Sequence, residues 1–434
     1  MADINLPFRD FVENLKREEQ RPTALNDIKN FLSFMPQGEV YKTVTADPQL
    51  MPVSQYIDIF VAVAQLVTDT NIGIANKAVL ITSHLQFEAY PKILEEMLIA
   101  LDYDNSAKCN AYEVVINIAS KNSDYLNLCN QHGYIDHMLS ELKSDDILFK
   151  LNILELLSRL VVTPHGISYL VEHGVLQMIS ESISNLKNDP LGNILTPGYM
   201  KFFGAIAHMY PREIFKNYPV LLDSLFEILE SREQSVLPVA LDTLGFVGST
   251  VEGKLSLAAL GSKYTSAVNK VCELIRNSAS DIKIRALFCM TSLISTEKDP
   301  TWPKSKPIDH RITLMTREWF RCLSEKPESM EALYGICKNP FPDIKLAGLN
   351  LLDAVCEYSW GQELVARTPG FIEYLLDRSV DYTKECKEAK YEFMKRLCQS
   401  TSFDTSTILK LTQYVEQGPF FTETIMQVAM EEGD

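Results

Sequence analysis

A triad of apolar residues spaced three apart recurs along the chain, and it constrains the fold more than any other feature of the sequence. The triads are Tyr112/Val115/Ile118, Leu154/Leu157/Leu160, Met200/Phe203/Ile206, Leu241/Leu244/Val247, Leu287/Met290/Leu293, Leu349/Leu352/Val355 and Tyr391/Met394/Leu397. A spacing of three places the members of each triad on one face of a helix. At helical spacing such stripes form core rather than ligand sites, so we expect the triads to be buried.

The period of the triads predicts how these helices pack. Successive triads begin about 41 to 46 residues apart, with one wider step of about 62, and this period is typical of HEAT and armadillo repeats. One such repeat cannot bury its apolar face alone and must stack on its neighbours. The sequence therefore predicts an all-α fold, a curved α-solenoid of HEAT/armadillo-like repeats.

Pairs of glycines follow three of the triads and indicate how each repeat is divided. The pairs are Gly166 and Gly174, Gly253 and Gly261, and Gly361 and Gly370. Glycine tolerates the left-handed backbone at which helices end, so both members of each pair are interpreted as helix ends or turns. This predicts three helices in these units, as in armadillo repeats, mixed with two-helix HEAT-like units.

Departures from the pattern predict three regions. Residues 1–101 are expected to form irregular N-terminal helical repeats, because terminal repeats are atypical. Residues 102–415 form the HEAT/armadillo-like repeats, with an exposed insertion at 297–311 that contains Pro300, Pro303 and Pro307. Residues 416–434 are expected to be an extended acidic C-terminal tail.

Charge and cysteine usage narrow the partners and the compartment. The net charge of −16 repels phosphate backbones and favours a partner with a basic surface, so no nucleic acid is expected.

Nine cysteines without a Cys-x-x-Cys pair indicate reduced thiols. The start MADINLPFRDF lacks the features of a signal peptide, and the most apolar stretch, 59–67, is too short to span a bilayer. We expect no membrane partner, a cytoplasmic protein with the nucleus left open, and a monomer when free.

No pattern in the sequence indicates catalysis. Phosphate-binding loops, dinucleotide fingerprints, H-E-x-x-H and G-x-S-x-G are absent. His132 and His137, like His165 and His173, are interpreted as ordinary polar residues rather than metal ligands. The predictions are no enzyme activity, no catalytic residues, no cofactor and no metal.

Four collinear strings go beyond a generic repeat. They are PGYMKFFGAIA at 197–207, VALDTLGFVGSTVEGK at 239–254, PGFIEYLLDRSVDYTKECKEAKY at 369–391 and EQGPF at 416–420. In this order and spacing they resemble the family of non-ATPase regulatory subunit 5 of the 26S proteasome. The match is global from about residue 100 onward.

The resemblance implies a function that periodicity does not. Members of this family are assembly chaperones of the base of the proteasome regulatory particle. The resemblance implies binding to the C-terminal domain of a base AAA ATPase subunit and release before the mature proteasome forms. The implied partners are base AAA ATPase subunits and the large non-ATPase scaffold subunit of the base.

Polar residues inside the matching strings are candidates for partner binding. They are Lys201, Asp242, Glu252, Lys254, Asp377, Arg378 and Lys390. Asp242 ranks first, because in HEAT-like arrays the second helix lines the concave side. Structural interpretations stay open beside these: Asp242 as ordinary helix surface, Arg378 as a partner of carbonyls at a helix end, and Lys201 and Lys390 as stems lying along a neighbouring repeat.

Two other functional classes stay open at the level of sequence. One is a general protein-binding solenoid scaffold or transport-receptor-like adaptor, whose captured partners would not be proteasomal ATPases. The other is an enzyme with a diffuse site, which a closed pocket with several perturbed titratable groups would indicate.

Overall fold

The protein is all helix in the part of the chain that its computed structural model describes, which comprises residues 8–34, 53–83, 90–186, 191–231, 233–296, 299, 308–324 and 328–422. No strand occurs in these ranges, which confirms the predicted all-α class. The chain divides into two compact units, Met1–Ile206 and Ala207–Asp434.

The helices of the first unit run to the boundary at Ile206, which lies inside the last of them. They are α1 Phe8–Lys16, α2 Arg21–Phe34, α3 Val53–Gln65, α4 Ile72–Ser83, α5 Tyr90–Ala100, α6 Asn105–Ala119, α7 Ser123–Gln131, α8 Tyr134–Glu141, α9 Ile147–Val161, α10 Pro164–Glu172, α11 Val175–Asn185 and α12 Gly192–Met209. Single-turn 3-10 helices lie at Glu18–Gln20 and Leu66–Thr68.

The second unit continues the same pattern. Its helices are α13 Pro211–Asn217, α14 Pro219–Glu230, α15 Leu237–Val247, α16 Val251–Ala258, α17 Ser262–Asn277, α18 Ser280–Ile294, α19 His310–Arg321, α20 Ser329–Cys337, α21 Pro342–Val355, α22 Ser359–Arg367, α23 Phe371–Leu376, α24 Lys384–Leu397 and α25 Thr405–Gln417. From α6 onward most units consist of a triad-bearing helix, a shorter helix and a third helix, so the three-helix prediction is confirmed for them.

The triad-bearing helices stack directly on one another within each unit, and we call them the ladder helices. In the first unit α6 packs on α9, and α6 also packs on α4, which carries no triad; in the second unit α15, α18, α21 and α24 pack in succession. The triads form the buried face of these helices, with one exception, Tyr391, which is half-buried. Burying one face of each ladder helix against its neighbours supplies the continuous core that a repeat array requires.

The two glycines of each pair have different structural roles. Gly174, Gly261 and Gly370 have φ of 68°, 63° and 75°, and these positive values confirm them as turns between helices that favour glycine. The prediction is wrong for the first member of each pair, which is the third residue of a short helix and has no positive φ.

A close approach, rather than a turn, explains the first glycines. A Cβ at Gly253 would lie 1.9 Å from the carbonyl oxygen of Val247, at the end of the preceding ladder helix. Gly166 and Gly361 would meet the carbonyls of Leu160 and Val355, each at 2.1 Å. Any larger residue would therefore force the short helix away from the ladder helix that precedes it.

The predicted insertion and tail fall partly outside the described residues. Within 297–311, residues 297, 298 and 300–307 lie outside, and α19 begins at His310, inside the predicted insertion. The chain before the insertion is anchored, because Glu357 accepts the backbone N–H of Thr296 at 2.7 Å. Helix α25 extends to Gln417, two residues into the predicted tail, and residues 423–434 lie outside. The predicted boundary between residues 101 and 102 stays a prediction. It separates irregular from regular repeats, whereas the two units are separated by their compactness.

Three further observations concern membrane spans, metal sites and cysteines. None of the described helices is long and apolar enough to cross a membrane. No group of three or more His, Cys, Asp or Glu residues in the described ranges is placed to hold a metal ion. All nine cysteines are free thiols. Burial raises the pKa of several of them, and that of Cys129 and of Cys272 to about 12, which favours the protonated thiol.

Candidate partner-binding surface

Ion pairs join neighbouring ladder helices on the side away from the core triads. In the second unit, Arg285 Nη1 of α18 lies 2.6 Å from Asp242 Oδ2 of α15. Arg396 Nε of α24 lies 2.8 Å from Asp353 of α21. In the first unit, Arg159 of α9 and Glu113 of α6 form the same kind of pair at 2.7 Å. In all three pairs the carboxylate belongs to the earlier helix, so this pairing of successive repeats recurs.

Two exposed phenylalanines flank the first of these pairs. Phe246 follows Asp242 by one helical turn and is 48% exposed, and Phe288 follows Arg285 by three residues and is 44% exposed. Residues three or four apart share a helical face, so the ion pair places all four side chains on one surface. The imidazole of His208 extends it by stacking on Phe246, with ring centroids 4.0 Å apart. We call these five residues the Phe246–Phe288 surface.

The composition of this surface resembles that of protein–protein interfaces. Aromatic and arginine side chains carry much of the energy of protein–protein interfaces, because they combine large contact area with polar groups. The exposed parts of the two phenylalanine rings would lose water if a partner covered them, and burial of apolar area is favourable. This arrangement offers apolar contact area beside a charged pair.

Of the predicted site residues, Asp242 lies on this surface, whereas Lys254 is buried at the ends of α15 and α18. The Lys254 side chain is fully buried, and its Nζ donates to the carbonyl oxygens of Gly248 at 2.6 Å, Ser292 at 2.8 Å and Ser249 at 3.2 Å. It therefore caps two neighbouring ladder helices, α15 and α18. The structure corrects its assignment as a partner contact, because the ammonium group is enclosed by the protein.

Lys390 requires the same correction. It is fully buried and forms an ion pair with Asp381, which is itself buried, while its Nζ donates to the backbone oxygen of Asp377 at 2.7 Å. Lys345 Nζ lies 3.5 Å from Asp381 on its other side and donates to the carbonyl of Val380 at 2.5 Å. Two lysines from α21 and α24 thus share one carboxylate inside the last repeats of unit 2.

Asp377 and Arg378 follow α23 and differ in accessibility. The Asp377 carboxylate accepts the backbone N–H and the hydroxyl of Ser379, and these hydrogen bonds lower its pKa. Arg378 Nη1 donates to Gly418 at 2.7 Å, and its Nη2 donates to the carbonyl of Tyr414 at 2.9 Å. Arg378 therefore holds the end of α25, while the exposed Asp377 stays a candidate contact.

The remaining two candidates lie elsewhere on the surface. Glu252 is on the short helix α16 and pairs with Arg212 Nε of α13 at 3.1 Å, away from the ladder helices. Lys201 is exposed on α12. The structure thus brings Asp242 together with residues that were not predicted, and its role and those of Glu252 and Lys201 in partner binding stay predictions.

Sequence reasoning missed the aromatic part of the surface. The sequence pattern does not distinguish Phe246 and Phe288, because an apolar residue on a helix rich in core residues is assigned to the core by default. A signal was available: Phe288 directly follows the buried triad residue Leu287, and Phe246 precedes the triad residue Val247, so both lie off the triad face.

Comparison with known proteins identifies the family. A family model described as proteasome non-ATPase 26S subunit matches residues 26–434. The chain belongs to this family. A 26S proteasome non-ATPase regulatory subunit 5 from Bos taurus is 30% identical over 433 residues, which cover 96% of this chain and 83% of that protein. The Homo sapiens protein of the same name is 33% identical over 344 residues, covering 78% of this chain and 66% of that protein.

Solved structures give a weaker likeness. An engineered protein superimposes with a TM-score of 0.43 and 15% identity over 95% of this chain and 98% of its own. A designed armadillo repeat protein gives a TM-score of 0.38 and 15% identity over 60% of this chain and 99% of its own. The assignment to the proteasome non-ATPase 26S subunit family rests on the sequence match, which includes the Phe246–Phe288 surface and both buried lysines.

Proposed function

We propose that the protein is a non-catalytic assembly chaperone of the proteasome regulatory particle base. In this proposal it binds the C-terminal domain of a base AAA ATPase subunit, together with the large non-ATPase scaffold subunit, and leaves before the mature proteasome forms. Its cytoplasmic location, with access to the nucleus left open, belongs to the same proposal. Membership in the family supports a proteasome-related role, and the resemblance described above supplies the finer role.

The Phe246–Phe288 surface is the single observation that carries the binding part of this proposal. It joins two exposed aromatic rings, a stacked histidine and an interhelical ion pair on consecutive ladder helices. A site for a folded domain needs such a broad, pre-positioned face, because ordering flexible side chains on binding costs free energy. The net charge of −16 would speed encounter with a basic partner surface, so added salt should slow association more than it speeds dissociation.

Capture from cell extract tests the proposal. The tagged full chain should retain base ATPase subunits, and the variant F246A/F288A should retain at most about one tenth as much, because losing two aromatic anchors costs a few kcal/mol. A matched control is Phe341→Ala, which removes an exposed phenylalanine that precedes α21 rather than lying on a ladder helix. Capture of other proteins in place of proteasomal subunits would favour the general scaffold or adaptor.

A second experiment tests the chaperone role separately from binding. A protein that clamps an ATPase C-terminal domain should obstruct docking of the base onto the proteolytic core. Mixing the chain, its ATPase module and core particles should therefore lower the amount of core-bound base. Saturating chain that stays bound and leaves core docking unchanged would contradict the blocking mechanism.

A further inference from the structure

A second surface feature lies at the other end of unit 2, beside α25. It is a groove of about 620 Å³ whose walls come from the end of α23, from α24 and α25, and from the chain that follows α25. This volume is within the range of about 300 to 1,000 Å³ found for ligand sites. The groove contains none of the residues of the Phe246–Phe288 surface, so an inference drawn from it does not rest on the proposed function.

The groove is positively charged although the chain is strongly acidic. Lys387 and Lys410 line it, and neither forms a salt bridge within the described ranges. The two carboxylates on its walls are already engaged: Asp377 by the N–H and hydroxyl of Ser379, and Asp381 by two buried lysines. The exposed glutamates nearest in sequence, such as Glu388 and Glu416, do not line it. The lining thus carries three basic side chains, Arg378, Lys387 and Lys410, against two carboxylates, and the buried lysines pair with one of these carboxylates, Asp381.

The walls are held in place before any ligand arrives. The Arg378 guanidinium lies 3.8 Å from the centre of the Tyr414 ring and 5.3 Å from that of Phe421. Its hydrogen bonds to the carbonyls of Tyr414 and Gly418 fix the chain after α25 against the end of α23. Because these groups are pre-positioned, binding in the groove costs little ordering free energy.

The apolar part of the wall determines the kind of anion that fits. Pro419 and Phe421 line the groove beside the lysines, and Phe421 is 37% exposed. Lysine ammonium groups bind carboxylates as point charges on flexible stems, which suits carboxylates at variable positions along an extended chain. An inorganic anion would use the lysines but leave the ring and the proline without a contact.

We propose that this groove binds an acidic peptide segment of a partner protein. Lys387 and Lys410 receive the carboxylates of the segment, and the Phe421 ring contacts one of its apolar side chains or aliphatic stems. The net charge of −16 would favour a basic partner for the protein as a whole. The groove thus provides a second site, which prefers an acidic partner segment.

Fluorescence anisotropy with a fluorescein-labelled hexaglutamate peptide and the full chain tests this assignment. The variant K387E/K410E should raise the Kd for the peptide about tenfold or more, since two favourable contacts become repulsive. A matched control is K384E/K395E, which makes the same change of charge on α24 at two exposed lysines that do not line the groove. It should change the Kd less than about twofold.

Three results would overturn the proposal. The first is no saturable binding of the peptide to the unchanged chain. The second is an equal loss in both variants, which would indicate a general effect of net charge. The third comes from the full-length variant E423Q/E431Q/E432Q/D434N, which neutralises the acidic residues after Thr422. If it bound hexaglutamate about tenfold more tightly than the unchanged chain, the groove would belong to the protein's own acidic segment.

Discussion

Lys254 and Lys390 are both fully buried in the second unit, yet the protein accommodates their charges in different ways. Lys254 meets three backbone carbonyls, and its nearest opposite charges, Glu357 and Asp299, act at longer range. Lys390 is in direct contact with the carboxylate of Asp381, which also neutralises Lys345. One site is held mainly by helix capping and the other mainly by an ion triad.

The difference is visible in the pKa values of the two lysines. Burial lowers the pKa of Lys254 to about 7, with Glu357 and Asp299 acting in the opposite direction. Burial also lowers the pKa of Lys390, but the contact with Asp381 is the chief opposing influence. A buried lysine in a repeat array therefore serves either as a multiple donor for helix ends or as one member of an ion cluster, and the two should respond differently to mutation.

The largest effect is expected from removing the shared carboxylate. Asp381→Asn leaves Lys345 and Lys390 buried without a counter-ion and should lower the free energy of unfolding by about 3 to 5 kcal/mol. Urea denaturation followed by circular dichroism measures this. Asp353→Asn, at a partly exposed pair, is the control and should cost less than about 1 kcal/mol. A cost below that of the control would mean that the triad is not held by its charge.

A smaller loss is expected at the capping lysine. Lys254→Met keeps the length of the side chain but leaves three buried carbonyl oxygens without their donor, which should cost about 1 to 3 kcal/mol of unfolding free energy at pH 7. Lys263→Met, at an exposed lysine on α17, should be nearly neutral by the same urea titration. If Lys254→Met also left the free energy of unfolding unchanged, water would have to hydrogen-bond the three carbonyls. The site of Lys254 would then differ from that of Asp381 in its access to water.

The sequence predicted the stacked helical repeats but not the buried sites of Lys254 and Lys390. The triads predict the fold because their spacing indicates which face is buried, and the positive-φ turns at Gly174, Gly261 and Gly370 follow from glycine alone. The roles of Lys254 and Gly253 could not be predicted from the sequence, because both depend on how closely α16 approaches the end of α15. That distance is set by tertiary packing. Sequence reasoning places a charged residue of a matching string on the surface, because most lysines are exposed.

The pH dependence of stability distinguishes the two lysines further. Above pH 7 the unfolded chain keeps a proton on Lys254 that the folded chain has released, so the folded chain gains stability relative to the unfolded chain as pH rises toward 10.5. The deficit of Lys254→Met against the unchanged chain should therefore grow by about 1 kcal/mol per pH unit between pH 7 and 9.

The matched measurement uses Lys390→Met, because its pKa is lowered in the same direction but is opposed by a carboxylate in contact. Its deficit should grow less steeply with pH. Urea midpoints at pH 7, 8 and 9 for both variants give the two slopes. Equal slopes of the deficit against pH would show that the ion pair with Asp381 and the contacts with carbonyls have the same effect on the protonation of the buried lysine.

The smallest effect is expected at the exposed ion pair of the Phe246–Phe288 surface, and it connects this comparison with binding. Asp242 and Arg285 retain 54% and 46% of their side-chain exposure, so water screens the pair strongly. A double-mutant cycle with Asp242→Ala and Arg285→Ala should give a coupling of less than about 0.5 kcal/mol in urea denaturation. The same cycle at Asp353 and Arg396, which are 35% and 21% exposed, should give a larger coupling.

Partner capture shows what the exposed pair is for. If the pair orients the surface for a partner, the Asp242→Ala variant should lose captured ATPase subunits while its stability stays within about 0.5 kcal/mol of the unchanged chain. A loss of stability equal to that at Asp353 would place Asp242 among the structural pairs that join ladder helices. In that case Phe246 and Phe288 would carry the binding surface, and the ion pair would serve only to hold α15 against α18.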